Sequence, residues 1–481
     1  ATGAASTPPV TAGTVQFTRI RASPAKDEKL LVTLDSNSDI DAQVWDGSGW
    51  SATTELTQIA SIATRDVIDI GYERVSGDAL LVWANTTTQS ISFRVWNGSE
   101  FSAQDGLGIG TAGVTNRILD LFPQEGTDNI MLLLSDGSAT PDLYAILWDG
   151  SGFNTSTQVQ ITSELDTTSD YQAYYGAWEE QSGDFNVYYG EDAQLAIFRR
   201  SFEGGAWTAP EAGASGGDGD IRFVRAAGFP GSDNQTLCWV ETTGADINCQ
   251  FWDGSAFQGT FNDNTSEAPI GRNFDIAPLL STDGGFIGMY GDLNDDWYDF
   301  MVCGSASNCS SGIWESRALW STTQLGGTDT RWGKMYEDPN NPGNLTLLGI
   351  SQTAANGWYR ARIYCDESAC EESEPWTGFG ATSSAVYDVA SFAFDKHRIT
   401  SGAAPVCGLE GTYYLNSTDG NFKVGMLYSD EDSSNAYSAG DNIIFCSNFN
   451  INSPNFEGDL SDYEIVFPKS FANNVDMYFD A

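Results

Sequence analysis

The chain is poor in the residues that most catalytic sites lean on. It has a single histidine, His397, inside a Lys396-His397-Arg398 cluster. A Ser-His-Asp or Cys-His relay would rest on that one imidazole, and zinc or iron sites built from several histidines are excluded. We read His397 as an ordinary surface residue. No Gly-x-Gly-x-x-Gly opens a helical pattern and no P-loop is present, which argues against nucleotide cofactors. No cysteine pair has CxxC spacing, no run of about 18 apolar residues offers a membrane-spanning helix, and helical periodicity is absent throughout. Positive charge is scarce as well. Lys and Arg number 22, against 66 Asp and Glu, for a net charge of −44, so the chain repels phosphate backbones and anionic lipid, and nucleic acid is excluded as a partner.

Eight cysteines fall into four pairs at hairpin-like spacings: Cys238 with Cys249, Cys303 with Cys309, Cys365 with Cys370, and Cys407 with Cys446. An even count at such spacings predicts disulfides made in an oxidising, extracellular compartment. Asn-x-Ser/Thr sequons at Asn85, Asn97, Asn154, Asn234, Asn264, Asn308, Asn344 and Asn416 are glycosylation candidates compatible with that compartment. The opening Ala1-Thr-Gly-Ala-Ala-Ser resembles the start of a mature secreted chain.

One phrase recurs. Val44-Trp45-Asp46-Gly47-Ser48-Gly49-Trp50 returns as Val95-Trp96-Asn97-Gly98-Ser99-Glu100-Phe101, as Leu147-Trp148-Asp149-Gly150-Ser151-Gly152-Phe153 and as Phe251-Trp252-Asp253-Gly254-Ser255-Ala256-Phe257. The tryptophans are 51, 52 and 104 residues apart, which gives a period near 52. A worn copy occupies Phe198 to Trp207. In two later copies, Val302-Cys303 to Trp314 and Tyr364-Cys365 to Trp376, a cysteine takes the place of the tryptophan. Apolar, β-branched runs such as Val67–Glu73 and Ala79–Ala84 precede each phrase, separated by Gly, Asp and Asn turns.

Four strands in each repeat of about 50 residues is the pattern of a propeller blade. The predicted fold is therefore all-β: a disulfide-stapled β-propeller of seven blades over 14–385, an N-terminal extension at 1–13, and a C-terminal β domain or strand-exchange segment at 386–481. An eighth blade opening at Tyr387–Asp395 is the alternative. The recurring aromatics read first as packing between blades.

For metals, Asp292, Asn294 and Asp296 offer hard oxygen ligands at alternating positions, as calcium prefers, without matching the twelve-residue EF-hand loop. No other cofactor is expected. The phrase Trp45-Asp46-Gly47-Ser48-Gly49-Trp50 resembles the blade turn of fucose-binding propeller lectins. That resemblance implies an arginine on the middle strand and a glutamate on the third strand holding each sugar. The middle strands Leu30–Leu34, Leu80–Trp83 and Met131–Leu134 carry no arginine.

Three functions fit. The first is a non-enzymatic extracellular structural or adhesive protein, a filament subunit pairing with itself or with other surface proteins through terminal strands. The alternative is a carbohydrate-binding lectin with glycan partners. The third is a carboxylate-dependent polysaccharide-active enzyme.

Overall fold

A computed structural model shows seven antiparallel sheets in succession along residues 15–381. The described residues are those from 15 to 381, apart from 52, 59–66, 86–88, 166–171, 216–219, 242–246, 264–273, 292–297, 318–329, 338–342, 352–356 and 367–369. Beyond 381 they are 398–399, 426–429, 442–446 and 470–471. The terminal 1–13 extension, His397, the calcium candidates Asp292, Asn294 and Asp296, sequons Asn264 and Asn416, Cys407 and the Tyr387–Asp395 run lie outside the described residues.

Each sheet is a meander of consecutive strands, and the sheets are the blades of a seven-bladed propeller. The inner strands are Val15–Ala22, Ile68–Tyr72, Asn116–Pro123, Tyr174–Trp178, Ile221–Gly228, Phe274–Leu279 and Thr330–Glu337. In blade 4 the outer strand is split into Ala206–Trp207 and Glu211–Ser215, both paired with the third strand, Ala196–Glu203. After the propeller, Met426–Ser429 pairs antiparallel with Asn442–Cys446, and Arg398–Ile399 pairs with Ser470–Phe471 in parallel.

The phrase makes the turn its composition predicts. Gly47, Gly98, Gly150 and Gly254 have φ of 84–87°, a region that glycine enters without steric cost. The preceding Asp or Asn closes the turn. Asp46 Oδ1 accepts the Ser48 amide at 2.9 Å, the Ser48 hydroxyl at 2.7 Å and the Gly49 amide at 2.9 Å. Asn97, Asp149 and Asp253 repeat the set. These bonds, led by the serine hydroxyl, hold the Asp46 and Asp149 carboxyls below their ordinary range.

Register corrects the sequence reading at the worn copies. In blade 4 Phe202 pairs with Trp207 as Trp45 does with Trp50, so Phe202 takes the tryptophan's place. In blade 6 Cys303 faces Phe286 on the middle strand, at the tryptophan position, as predicted. In blade 7 that position falls to Ile363, opposite Leu345, and Cys365 lies two residues further on, where the hairpin is already turning. The disulfides Cys238–Cys249, Cys303–Cys309 and Cys365–Cys370 are formed. Two short elements among the described residues depart from the all-strand expectation: Thr155–Thr157 forms a 3-10 turn capped by Asn154, and the loop closed by Cys303–Cys309 winds into a five-residue helix, Ala306–Ser310, whose Asn308 amide is capped by Ser305.

Among the described residues no blade has a core of its own. The buried clusters run across sheet boundaries: Leu30, Ile70 and Leu132 from blades 1 to 3 share one, and Leu133, Tyr188 and Trp239 from blades 3 to 5 share the next. A sheet so thin is apolar on both faces, and each face is buried only against its neighbour.

Candidate functional site

Two polar regions interrupt this packing. The first surrounds the axis. Arg19, Asp69, Asp120, Tyr175, Arg225, Asp275 and Lys334 occupy one equivalent inner-strand position, since each pairs with a buried middle-strand residue thirteen or fourteen places on: Val32, Val82, Leu133, Tyr188, Cys238, Met289 and Leu348. Asp69 takes the Arg19 and Arg21 guanidiniums at 3.6 and 2.9 Å and the Leu121 amide of blade 3 at 2.9 Å. The Gln172 amide bridges Asp120 (2.7 Å) and Arg225 (3.2 Å), and Arg225 also lies 5.1 Å from the Tyr175 ring centre. Asp275 receives Lys334 Nζ at 3.1 Å and the Met335 amide at 2.9 Å. The layer holds three bases and three acids, joined blade to blade.

The second region lies between blades. Glu73, at the end of blade 2's inner strand, accepts the Trp148 indole N–H of blade 3 at 2.7 Å; Glu179 of blade 4 accepts that of Trp252, from blade 5, at 2.6 Å. Both glutamates are buried. Asp128 and Asp233 add a second latch, each accepting two amides from the neighbouring blade's turn, Val75 and Ser76 in one case, Gln181 and Ser182 in the other. Burial pushes Glu73 and Glu179 above the ordinary carboxylate range, against the opposing pull of Ser76 and Trp148, and of Ser182, Asn186 and Trp252. A raised folded value means stability that is fully present below the unfolded value and lost as pH rises through the folded one. The double variant Glu73→Gln, Glu179→Gln should therefore gain on the parent as pH rises from about 4 to about 7. Thermal midpoints of both proteins across that window check it, and parallel curves would refute it.

At the 4/5 boundary this latch grows into a larger constellation. Arg199, on the third strand of blade 4, is buried with its guanidinium carbon 3.5 Å from the Trp252 ring centre. Its Nε donates to Asn186 Oδ1 at 2.8 Å, Nη1 to Glu211 at 3.0 Å, and Nη2 to the Ser201 hydroxyl at 2.6 Å and to Glu203 at 3.3 Å. Asn186 continues inward to Glu179 and Gln235, and Tyr188 donates to Gln235 at 2.6 Å. The two carboxylates are the solvent side of the set, with Glu203 and Glu211 side chains 44% and 46% exposed. Glu203 is available because blade 4 makes its turn differently. It stands where Asp46, Asp149 and Asp253 cap their turns, but here Gly204 and Gly205 both take positive φ, 55° and 88°, so the hairpin closes without a capping side chain.

Sequence reasoning missed Arg199. The signal was an Arg199-Arg200 pair in the worn phrase, and its place became readable only once Phe202 was set opposite Trp207. Of the sequons, Asn97 is exposed, and Asn85, Asn154, Asn234, Asn308 and Asn344 are half-buried. Among the described residues no cluster of three or more His, Cys, Asp or Glu could hold a metal ion, and no helix is long and apolar enough to cross a membrane.

No family model matches the chain, and no curated protein matches it. Among solved structures it is similar to the BP39L lectin from Burkholderia pseudomallei, at 10% identity and a TM-score of 0.53, covering 77% of this chain and 100% of that one. AofleA from Arthrobotrys oligospora matches at 9% identity and a TM-score of 0.39, covering 77% of this chain and 88% of that one. The polysaccharide lyase Uly1 matches at 8% identity and 0.42, covering 72% and 90%. At such identities the first of these likenesses speaks for the propeller fold alone.

Proposed function

We propose, from a propeller fold shared with a lectin, that this chain is a non-enzymatic extracellular carbohydrate-binding protein, and that the solvent side of the boundary between blades 4 and 5, at Glu203 and Glu211, holds the sugar. The observation that carries this reading is a comparison of equivalent positions. Arg199 pairs with Tyr188 as Phe93 pairs with Val82, so the two stand at the same place in their blades. In blade 2 Phe93 packs edge-on against Trp148 of the next blade, ring centres 5.7 Å apart. The interface therefore closes well with hydrocarbon. Blade 4 instead keeps a buried cation and the polar groups that satisfy it, although an apolar replacement of a buried ion pair is often neutral or stabilising.

Such a set suits a sugar. Glu203 and Glu211 are held apart by one guanidinium and keep carboxylate lone pairs toward solvent, where they accept hydrogen bonds from vicinal hydroxyls; such charge-assisted bonds are the stronger kind. The guanidinium covers the Trp252 face, so recognition runs through hydroxyl hydrogen bonds more than through ring stacking. Three disulfides support an extracellular setting. Binding to a glycan array, followed by calorimetric titration of the best hit, tests the reading. We expect a saturable site of roughly micromolar to millimolar affinity; an array without hits removes it.

A further inference from the structure

At the boundary of blades 2 and 3 a buried acid is left with half of its carboxylate unbonded. Asp136 ends the middle strand of blade 3, Ile130–Asp136, and is 0% exposed. Its Oδ1 accepts the Ser138 amide at 3.0 Å, the Asp142 amide at 3.2 Å and the Ser138 hydroxyl, which fixes the loop that follows. Its Oδ2 accepts no hydrogen bond. Paired with it on the inner strand stands Asn116, 1% exposed. Asn116 Nδ2 donates to two carbonyls of blade 2, Ser90 at 3.1 Å and Ile109 at 3.0 Å, so the other atom of the amide is the oxygen. That Oδ1 is equally without a donor.

Both side chains face blade 2. Asp136 continues the alternation of Leu132 and Leu134, which lie in the cluster shared with blades 1 and 2, and Asn116 reaches blade 2 through its amide. Residues directly opposed in an antiparallel pair keep their Cβ atoms about 4.5–5.5 Å apart. A loop of blade 2 closes over them. Gly110, at φ 114°, passes so near that a Cβ there would collide with Asn116 Oδ1. Its neighbour Thr111 donates to Asp142 and lies 3.0 Å from the Tyr144 hydroxyl, which donates to the same carboxylate oxygen at 3.1 Å. Tyr144 senses both acids: burial first, then the charges of Asp142 and Asp136, push its phenol above the ordinary value, against the pull of Thr111.

Two acceptors cannot satisfy each other, and leaving a buried acceptor without a donor is costly, the more so when it is charged. Blade 5 meets the same problem with a donor. Its Glu241, paired with Ile221 across the same skipped residue, accepts the Asn248 amide at 2.9 Å. In blade 3 a water between the two oxygens would supply protons but leave the charge, whereas a cation meets both needs. The geometry points to a calcium ion at this boundary, bound by Asp136 Oδ2 and Asn116 Oδ1, with Asp142 as the second negative charge. Calcium takes about six to eight oxygens, amide and water oxygens among them. The donor set is therefore two carboxylates and an amide, not a group of three acids. Asp142 is half-buried and opens the site to solvent, from which waters complete the shell. The site shares no residue with the Arg199 constellation, so either can fail alone.

The test uses the full chain, stripped with EDTA and exchanged into chelator-free buffer. Its thermal midpoint is followed in calcium chloride against sodium chloride at equal ionic strength, and calcium affinity is measured by calorimetric titration. We expect the midpoint to rise by a few degrees beyond the sodium control. In Asp136→Asn calcium affinity should fall about a hundredfold. Without calcium, that variant should melt no lower than the parent, because its new amide can donate to Asn116 Oδ1. Asp142→Asn should lose about tenfold, while Glu100→Gln, at an exposed turn of blade 2, leaves affinity unchanged. A sodium or magnesium control that reproduces the shift, or an Asp136→Asn protein that keeps its calcium affinity, overturns the proposal. So does a parent that ignores calcium, which would give the gap to a bridging water. Should Asp136→Asn fail to fold, Asp142→Asn decides in its place, and undiminished affinity in it is equally fatal.

Discussion

Arg199→Met is expected to fold and to lose sugar binding, with affinity down about a hundredfold, because the side chain orients both exposed carboxylates and each charge-assisted bond is worth about 1.5–3 kcal/mol. Methionine keeps a flexible apolar stem over Trp252, so the interface stays filled. The cost to stability is the loss of donors to Asn186 Oδ1 and the Ser201 hydroxyl, about 1–3 kcal/mol. Glu203→Gln with Glu211→Gln should give the same binding defect with less loss of stability, since both side chains are largely exposed. Calorimetric titration alongside urea unfolding separates the two effects. A methionine variant that binds as the parent does would place the sugar elsewhere.

The same recurring letter should carry very different weight in different blades. Trp252 is 2% exposed and its indole N–H is held by Glu179. Replacement by alanine is expected to cost about 3–5 kcal/mol, as large aromatic truncations in cores do, with the buried Glu179 left short of a donor. Trp45 begins the first copy of the phrase but is half-exposed, set edge-on to Trp50 at 5.8 Å with Lys29 over its ring. Its replacement should cost about 1 kcal/mol. Equilibrium unfolding of the two variants decides it. Similar losses would mean that burial in these interfaces does not set the energy.

That contrast marks how far the sequence could be read. Blade number was legible because the turn is chemically demanding: a glycine at positive φ and an Asp or Asn that bonds two amides leave few alternatives, so the phrase recurs almost intact at 45, 96, 148 and 252. The same demand explains the errors. Where a disulfide closes the hairpin the turn no longer needs its letters, so blade 7 drifts by two residues and Ile363 sits where Cys365 was expected. In blade 4 the Gly204-Gly205 turn frees Glu203, and nothing in the local sequence says that an acid there faces an arginine. Arg199 sits in a strand that reads as ordinary, and its meaning comes from Trp252, Asn186 and Glu211, residues brought beside it only by folding. The axial pairs were hidden for a related reason. Asp69 and Asp120 lie within apolar runs, and their partners come from blades about 50 residues away.

Because every buried cluster is shared between neighbouring sheets, the molecule resembles a ring of voussoirs, stones that hold only while the adjacent ones stand. A blade that opens uncovers two apolar faces, its own and its neighbour's, so disorder gains nothing by staying local and spreads around the circle. Proteolysis should then find either an intact ring or a fully digested one, with no ladder of blade-sized fragments between them.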